Sequence, residues 1–355
     1  MGRNVKFFTI QVLPAILIIT SLLVSCSKTS DYKRKKPVIP VETPPTLPTT
    51  PTPPPTNPTG YLALTKANDT VIYQQSGLVI ENLKFENIEG TALYIKSSSN
   101  IIVRNCFFNK AAYEAINIES STNVTVENCL FNGVESGVYV MESQTIKVSG
   151  NQFVNVRKRA DGSRGQFIQF NKVTGTGNII ENNRGENFLH ESNPEDLISL
   201  FKSSGTAANP VSIRNNMFRG GGPSSSGGGI MTGDYGGAYI IVENNTLVDP
   251  GQYGIAIAGG SNITVINNKI FAKKQSFSNN PLYVWGQAVA CSDIIVKNNR
   301  ANWTDKDGYN NLGWYYGNCS NALFENATSI SLQETNMPAH LITMITPQEL
   351  IQIRK

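Results

Sequence analysis

IIVENN, residues 240–245, sets a β-branched apolar run against a glutamate and then two asparagines. Such a run fits a short strand, and asparagine tolerates the left-handed backbone that ends a strand in a sharp bend. The pattern recurs as IIVRNC from 101, VTVENC from 124, IKVSGN from 146, IIENNR from 179, VSIRNN from 211, ITVINN from 263, IIVKNN from 294 and ALFEN from 322, with VIENLKF from 79 ahead of them. Successive starts lie 22 to 33 residues apart, a base period near 22 with insertions. That period implies a solenoid in which each turn stacks on the last.

Asn105, Asn128, Asn182, Asn215, Asn244, Asn267, Asn298 and Asn326 share one column of the aligned turns, and Asn183, Asn216, Asn245, Asn268 and Asn299 the next. Stacked bends of this kind form an asparagine ladder. Each turn also carries a second strand: AINI, GVYV, FIQF, LISL, GIMT, GIAI, LYVW, GWYY. Strands repeated in one column pair in parallel at roughly 4.8 Å. The chain therefore reads as all-β, and over about residues 70–330 it resembles the right-handed parallel β-helix repeat proteins, with about ten turns. A leucine-rich repeat lacks its leucine pattern here, and a propeller its four strands per repeat.

The same alignment sets the register. Ile116, Val138, Ile168, Ile198, Ile230, Ile255, Tyr283 and Trp314 form one inward column, and Ile118, Val140, Phe170, Leu200, Thr232, Ile257, Trp285 and Tyr316 another. Between them Asn117, Tyr139, Gln169, Ser199, Met231, Ala256, Val284 and Tyr315 face out. Lys172, Lys202 and Asp234 then occupy equivalent places on three consecutive turns. Cys106 and Cys129 stack in the second asparagine column, and Cys291 and Cys319 each stand three residues ahead of a repeat on adjacent turns. Both pairs are expected to be close. The register leaves disulfides and stacked thiols equally open.

Ahead of the repeats, Arg3 and Lys6 precede the apolar run VLPAILIITSLLV and then LVSC, which ends at Cys26. This is a secretory layout and too short a run for a comfortable bilayer span. LVSC resembles the lipobox of bacterial lipoproteins, which implies cleavage before Cys26, a lipid on its sulfur, and an exported protein held at the outer membrane or cell surface. Residues 27–60, rich in proline and threonine, read as a disordered spacer, and 61–355 as the β-helix domain, a monomer. A net charge of only +4 gives no reason to expect a nucleic-acid partner.

The turns starting at 146, 179 and 211 are the long ones, and extra length on consecutive turns builds a wall beside the scaffold. The insertions hold VRKRADGSRG with Arg164, FLHESNPED with His190, Glu195 and Asp196, and FRGGGPSSSGGG with Arg219. Its glycine runs lack the lysine and hydroxyl of a phosphate loop and read as flexible turns. Tyr235, Trp285 and Trp303 add rings, and Lys172 adds a cation. Cations, carboxylates and rings along a groove suit a polysaccharide, because rings stack on sugar faces and arginines hold carboxylates. EDLISLFKSSG, residues 195–205, resembles the stretch in the chondroitinase B and alginate lyase family where an acid, a strand and Lys-Ser-Ser follow in order. The resemblance implies β-elimination on an acidic polysaccharide, with Lys202 as the base and Glu195 or Asp196 near a calcium ion. That family carries an arginine on the next turn where this chain has Asp234; Arg164 and Arg219 are the loop cations in reach. A second reading pairs Asp196 with Asp234 as the two carboxylates of a glycoside hydrolase. A third is a non-catalytic, adhesive surface protein. The C-terminal PAHLITMITPQELIQIRK, from 338, reads as a cap on the last turn.

Overall fold

The computed structural model describes residues 60–159, 165–224, 226–329 and 331–355. The lipobox cysteine Cys26, the spacer and Arg164 lie outside them. Three parallel sheets of 11, 10 and 10 strands run the length of the domain, and each strand pairs with the one three places on in the chain. One turn shows the plan: Phe107–Ala111 in sheet one, Glu114–Glu119 in sheet two, Thr122–Glu127 in sheet three. The next turn repeats it one strand spacing away, with Leu130 beside Phe107, Val138 beside Ile116 and Val124 beside Ile146. The sequence alignment found sheets two and three. Sheet one was not anticipated, because strands such as Leu130–Asn132 and Gln152–Val154 are three residues long and too short to show alternation.

The two asparagine columns have different work. Asn105, Asn128, Asn182, Asn215, Asn244, Asn267 and Asn298 take the left-handed bend, with φ between 52 and 58°. The next column turns inward as the ladder. Asn151, Asn183, Asn216, Asn245 and Asn268 each donate from Nδ2 to Oδ1 of the following rung, at 2.9–3.1 Å, and Asn299 ends the series. Each Oδ1 also accepts the backbone N–H of the rung before it at 3.0 Å. The amide is donor and acceptor at once, so stacking satisfies a polar group where no water reaches. Cys106 and Cys129 hold the earlier places in this column as free, buried thiols. Cys291 and Cys319 pair in register and are bonded, with Cα atoms 4.6 Å apart.

Inside sheet one, Phe85, Phe108, Phe131 and Phe153 stack with ring centroids 4.7–5.1 Å apart. The next residue of the column is Gly185. Phe167, from the loop before sheet two, enters that slot, stacks on Phe153 and leads on to Phe218. A Cβ on Gly185 would lie 2.4 Å from the Phe167 ring, so the glycine is what admits it.

Three expectations need correction. In the last turns Ile255 pairs with Leu282 and Ile257 with Val284, so Tyr283, Trp285, Trp314 and Tyr316 are not core residues. Leu282 and Val284 fill the interior, and Tyr315 rather than Trp314 turns toward it. On the next correction, Gly233 is an extra residue in its strand: Ser199 still faces Met231, but Phe201, not Lys202, faces Asp234. Gly233 sits at φ 66°, and a Cβ there would come within 2.0 Å of the Gly259 carbonyl oxygen. Last, the C-terminal segment does not cover the final turn. It runs back along the outside of sheet one, placing Ile342, Ile345, Leu350 and Ile353 on Phe107, Leu130 and Val154. Its helix, Pro347–Arg354, opens with a capping box between Thr346 and Glu349, and Asn132 donates to the Ile353 carbonyl at 2.8 Å.

Two neighbouring asparagines test the division of labour. Asn216→Ala should cost about 3 kcal/mol, since it strands buried partners on both sides. Asn215→Gly, which keeps a residue suited to positive φ, should stay within about 1 kcal/mol of the parent. Denaturant midpoints of the two variants decide it, and equal losses would count against the ladder.

Candidate active site

The inserted loops at the entry to sheet two stand over its outer face and enclose a cleft of about 440 Å³. Its floor is the outward column of that sheet, Gln169, Ser199, Met231 and Tyr283, and its wall includes Glu195, Asp196 and Ser226. Asp234 closes it from the far end of Ile230–Asp234. Asp196 precedes the strand Ile198–Phe201, and the bulge at Gly233 draws Asp234 off the corner, so the two carboxylates share one cavity.

Their surroundings differ. Asp196 is 8% exposed, and its Oδ1 accepts both the Tyr253 hydroxyl and the Gly228 N–H, the latter at 3.0 Å. Burial raises its pKa to about 7, with the Asp234 charge adding to the rise, while the Tyr253 and Gly228 bonds and Lys158 hold it back. Asp234 is less enclosed. Burial moves it up as well, opposed by the Tyr235 N–H. Burial also lifts the Tyr253 and Tyr283 hydroxyls well above their ordinary value, so both stay protonated as donors.

The glycines that read as flexible turns are tightly packed. A Cβ on Gly227 would meet the Glu195 carbonyl at 2.2 Å, and one on Gly228 the Tyr253 ring at 2.8 Å. They let this part of the loop lie against Glu195 and Tyr253 and present the Gly228 N–H to Asp196. Glu195 is held by Lys158 and by the Ser226 hydroxyl. Among the described residues no three His, Cys, Asp or Glu side chains gather as metal ligands.

Several predicted site residues fall elsewhere. Lys202 is an exposed corner residue at φ 49°, with Nζ over the rings of Phe201 and Tyr235 at 5.3 and 5.7 Å. Lys172 stacks beside it on the same corner and pairs with Glu142 at 2.7 Å. Tyr235 shares that corner, at φ 52°. None of the three lines the cleft. His190 and Arg219 line a different cavity of about 670 Å³, and Arg219 is engaged by Glu186 and by the carbonyls of Pro338 and Ala339. Trp303 is fully buried, whereas Trp285 is exposed near the cleft. Tyr253, Gln166 and Gln252 were missed, since none belongs to a strand column that the repeat marks, and Gln287 falls in the column of Lys202 and Asp234 without a feature that singles it out. Gln169, Ser199 and Met231 were legible as outward residues, but nothing in the repeat singled them out.

Residues 65–194 match the family model described as a right handed beta helix region. Among solved structures the chain is similar to DFA-IIIase from Arthrobacter chlorophenolicus A6 without its lid, at TM-score 0.48 and 11% identity, over 76% of this chain and 68% of that one. It is also similar to PfbA, a surface adhesin of Streptococcus pneumoniae, at 0.39 and 10%, over 74% and 80% of the two chains. The tailspike protein of E. coli bacteriophage HK620 follows at 0.38 and 10%, over 74% and 57%. No match is found among curated proteins. The fold is a right-handed parallel β-helix.

The raised Asp196 makes stability depend on pH in a definite direction. Between the ordinary carboxylate value near 4 and about 7 the folded chain keeps a proton that the unfolded chain gives up. Stability therefore falls as pH rises through that window, by at most about 1.4 kcal/mol per pH unit from this group. Asp196→Asn, which keeps the acceptor for Tyr253 and Gly228, should reduce that slope in denaturant melts between pH 4.5 and 7.5.

Proposed function

We propose that this is an exported, lipid-anchored enzyme that hydrolyses a glycan in the cleft on sheet two, with Asp196 as general acid and Asp234 as general base. One observation carries the reading: two carboxylates in one walled cavity, one buried enough to hold its proton near neutral pH and the other more open. Pairs of acids whose surroundings separate their pKa values divide into donor and acceptor. Both donors to Asp196 converge on Oδ1, which leaves Oδ2 to carry the proton. Asp196 delivers that proton to the glycosidic oxygen as its bond to the anomeric carbon breaks. Asp234 takes a proton from the water that attacks the same carbon. The products are a new reducing end and a free hydroxyl, and the two acids have exchanged protonation states.

Elimination with Lys202 as base has less support, because Lys202 stands on the corner with its ammonium over two rings. The lipid on Cys26 belongs to the same proposal, as does a place at the outer membrane or cell surface. Cys26→Ser should move the protein from the membrane fraction to the soluble one.

On a substrate found by screening glycans for new reducing ends, Asp196→Asn and Asp234→Asn should each lower kcat/KM by about 10³-fold. Lys202→Ala should stay within about twofold. The pH profile should be bell-shaped, its alkaline limb near 7 from Asp196 and its acid limb above the ordinary aspartate value from Asp234. Unsaturated, ultraviolet-absorbing products that vanish in Lys202→Ala would replace hydrolysis with elimination.

A further inference from the structure

Past the cleft, along the outer face of sheet two, the surface changes from polar to aromatic. Trp285, Trp314 and Tyr316 are 38%, 41% and 58% exposed, and their rings lie 5.6–5.9 Å apart in one cluster. Soluble surfaces rarely leave such a patch uncovered without a binding role. The cluster is continuous with the cleft: Tyr253, bonded to Asp196, meets Tyr283 edge-on at 5.2 Å, and Tyr283 meets Trp314 at 6.4 Å. Three strand spacings separate Asp234 from Trp314, roughly 14 Å along the axis.

The segments that carry the ledge hold no charged residue, and Asp305, Lys306 and Asp307 line a separate pocket beside Trp314. Neither the stretch 275–292, which carries Trp285, nor 308–324, which carries Trp314 and Tyr316, contains a Lys, Arg, Asp or Glu. The cleft beside it is acidic, with Glu195, Asp196 and Asp234 among its described lining and no lysine, arginine or histidine. Lys158 is tied to Glu195. A uronic acid chain would bring carboxylates to carboxylates, with no cation among the cleft's described lining to receive them. The apolar faces of a neutral sugar ring would meet the indoles, and its hydroxyls the glutamines.

We propose that Trp285, Trp314 and Tyr316 form a second glycan-binding subsite, and that ledge and cleft together select a neutral polysaccharide chain spanning several sugar units. The inference rests on the cleft being a glycan site, but not on cleavage there. It departs from the acidic polysaccharide that the sequence suggested.

Tryptophan fluorescence reads the subsite directly, because two of the three tryptophans stand on the ledge and the third, Trp303, is buried. The Asp196→Asn protein keeps chains intact and would be titrated with hexasaccharides of β-glucan, xylan, mannan and fructan, and with oligogalacturonate and oligoalginate. At least one neutral hexasaccharide should alter the emission and bind at least tenfold tighter than either acidic one at low salt. Trp314→Ala should weaken that binding about tenfold and Trp314→Phe much less, with thermal midpoints unchanged. Tighter binding of an acidic chain, equal affinity in Trp314→Ala, or no response to any neutral chain would overturn the proposal. Binding as expected without cleavage by the parent enzyme would leave the subsite standing and remove the hydrolase. Cleavage that needs Asp196 but ignores Trp314 would do the reverse.

Discussion

Each strand of the three sheets has a neighbour one strand spacing away on an adjacent turn, and that contact governs what each column can contain. A buried polar side chain must be satisfied by its own kind, which asparagine achieves along the ladder from Asn151 to Asn299. Serine does the same at the next bend, where the N–H of Ser98 donates to the Ser121 hydroxyl and that of Ser121 to Ser143. Phenylalanine satisfies the apolar version by stacking face on face. When a rung is missing, as at Gly185, a side chain from another part of the turn must enter, and Phe167 does. The repeat is thus a condition on packing, and departures from it have to be compensated locally.

The site is assembled from such departures. Extra residues in three consecutive turns leave the scaffold at the same corner, between sheets one and two, so they pile into a wall beside sheet two. Packed glycines let those loops touch backbone to backbone, which fixes Gly228 and Asp196 relative to one another. The C-terminal segment contributes from outside. Its Arg354 binds Glu191 and lies over the Phe188 ring, 3.3 Å from its centroid. Phe188 and Glu191 belong to the loop that delivers Asp196, so the strap along sheet one steadies one wall of the cleft. Arg219, which the sequence suggested for substrate, serves the same strap through the carbonyls of Pro338 and Ala339.

What was legible followed the repeat. IIVRNC and its relatives display β-branched residues and asparagine at fixed spacing, which gives the solenoid, two of its sheets and the register of its middle turns. The three-residue strands of sheet one show no period of their own, and the last turns misled because Tyr283 and Trp314 are large rings that suit either face. Leu282 and Val284 settle that choice by filling the interior. Cys291 and Cys319 were correctly placed on adjacent turns, since their position relative to the repeat does not depend on the strand where the alignment slipped.

Lys202 and Asp234 show why site residues resist this kind of reading. Counting along the repeat makes them equivalent, and equivalence would put both on the corner. The corner is a left-handed position where Ser120, Glu142, Lys172 and Lys202 all have φ between 49 and 55°. A side chain there leaves the sheet face and projects to solvent, which is why those rungs carry ordinary surface charges. Gly233 adds one residue ahead of Asp234, so Tyr235 takes the corner at φ 52° and Asp234 remains on the face beside Asp196. The extra residue must be glycine, because the left-handed φ and the Gly259 carbonyl leave no room for a Cβ. A single insertion thereby converts a surface rung into a cleft carboxylate, and no count of repeat positions could reveal it without the pairing of Phe201 with Asp234.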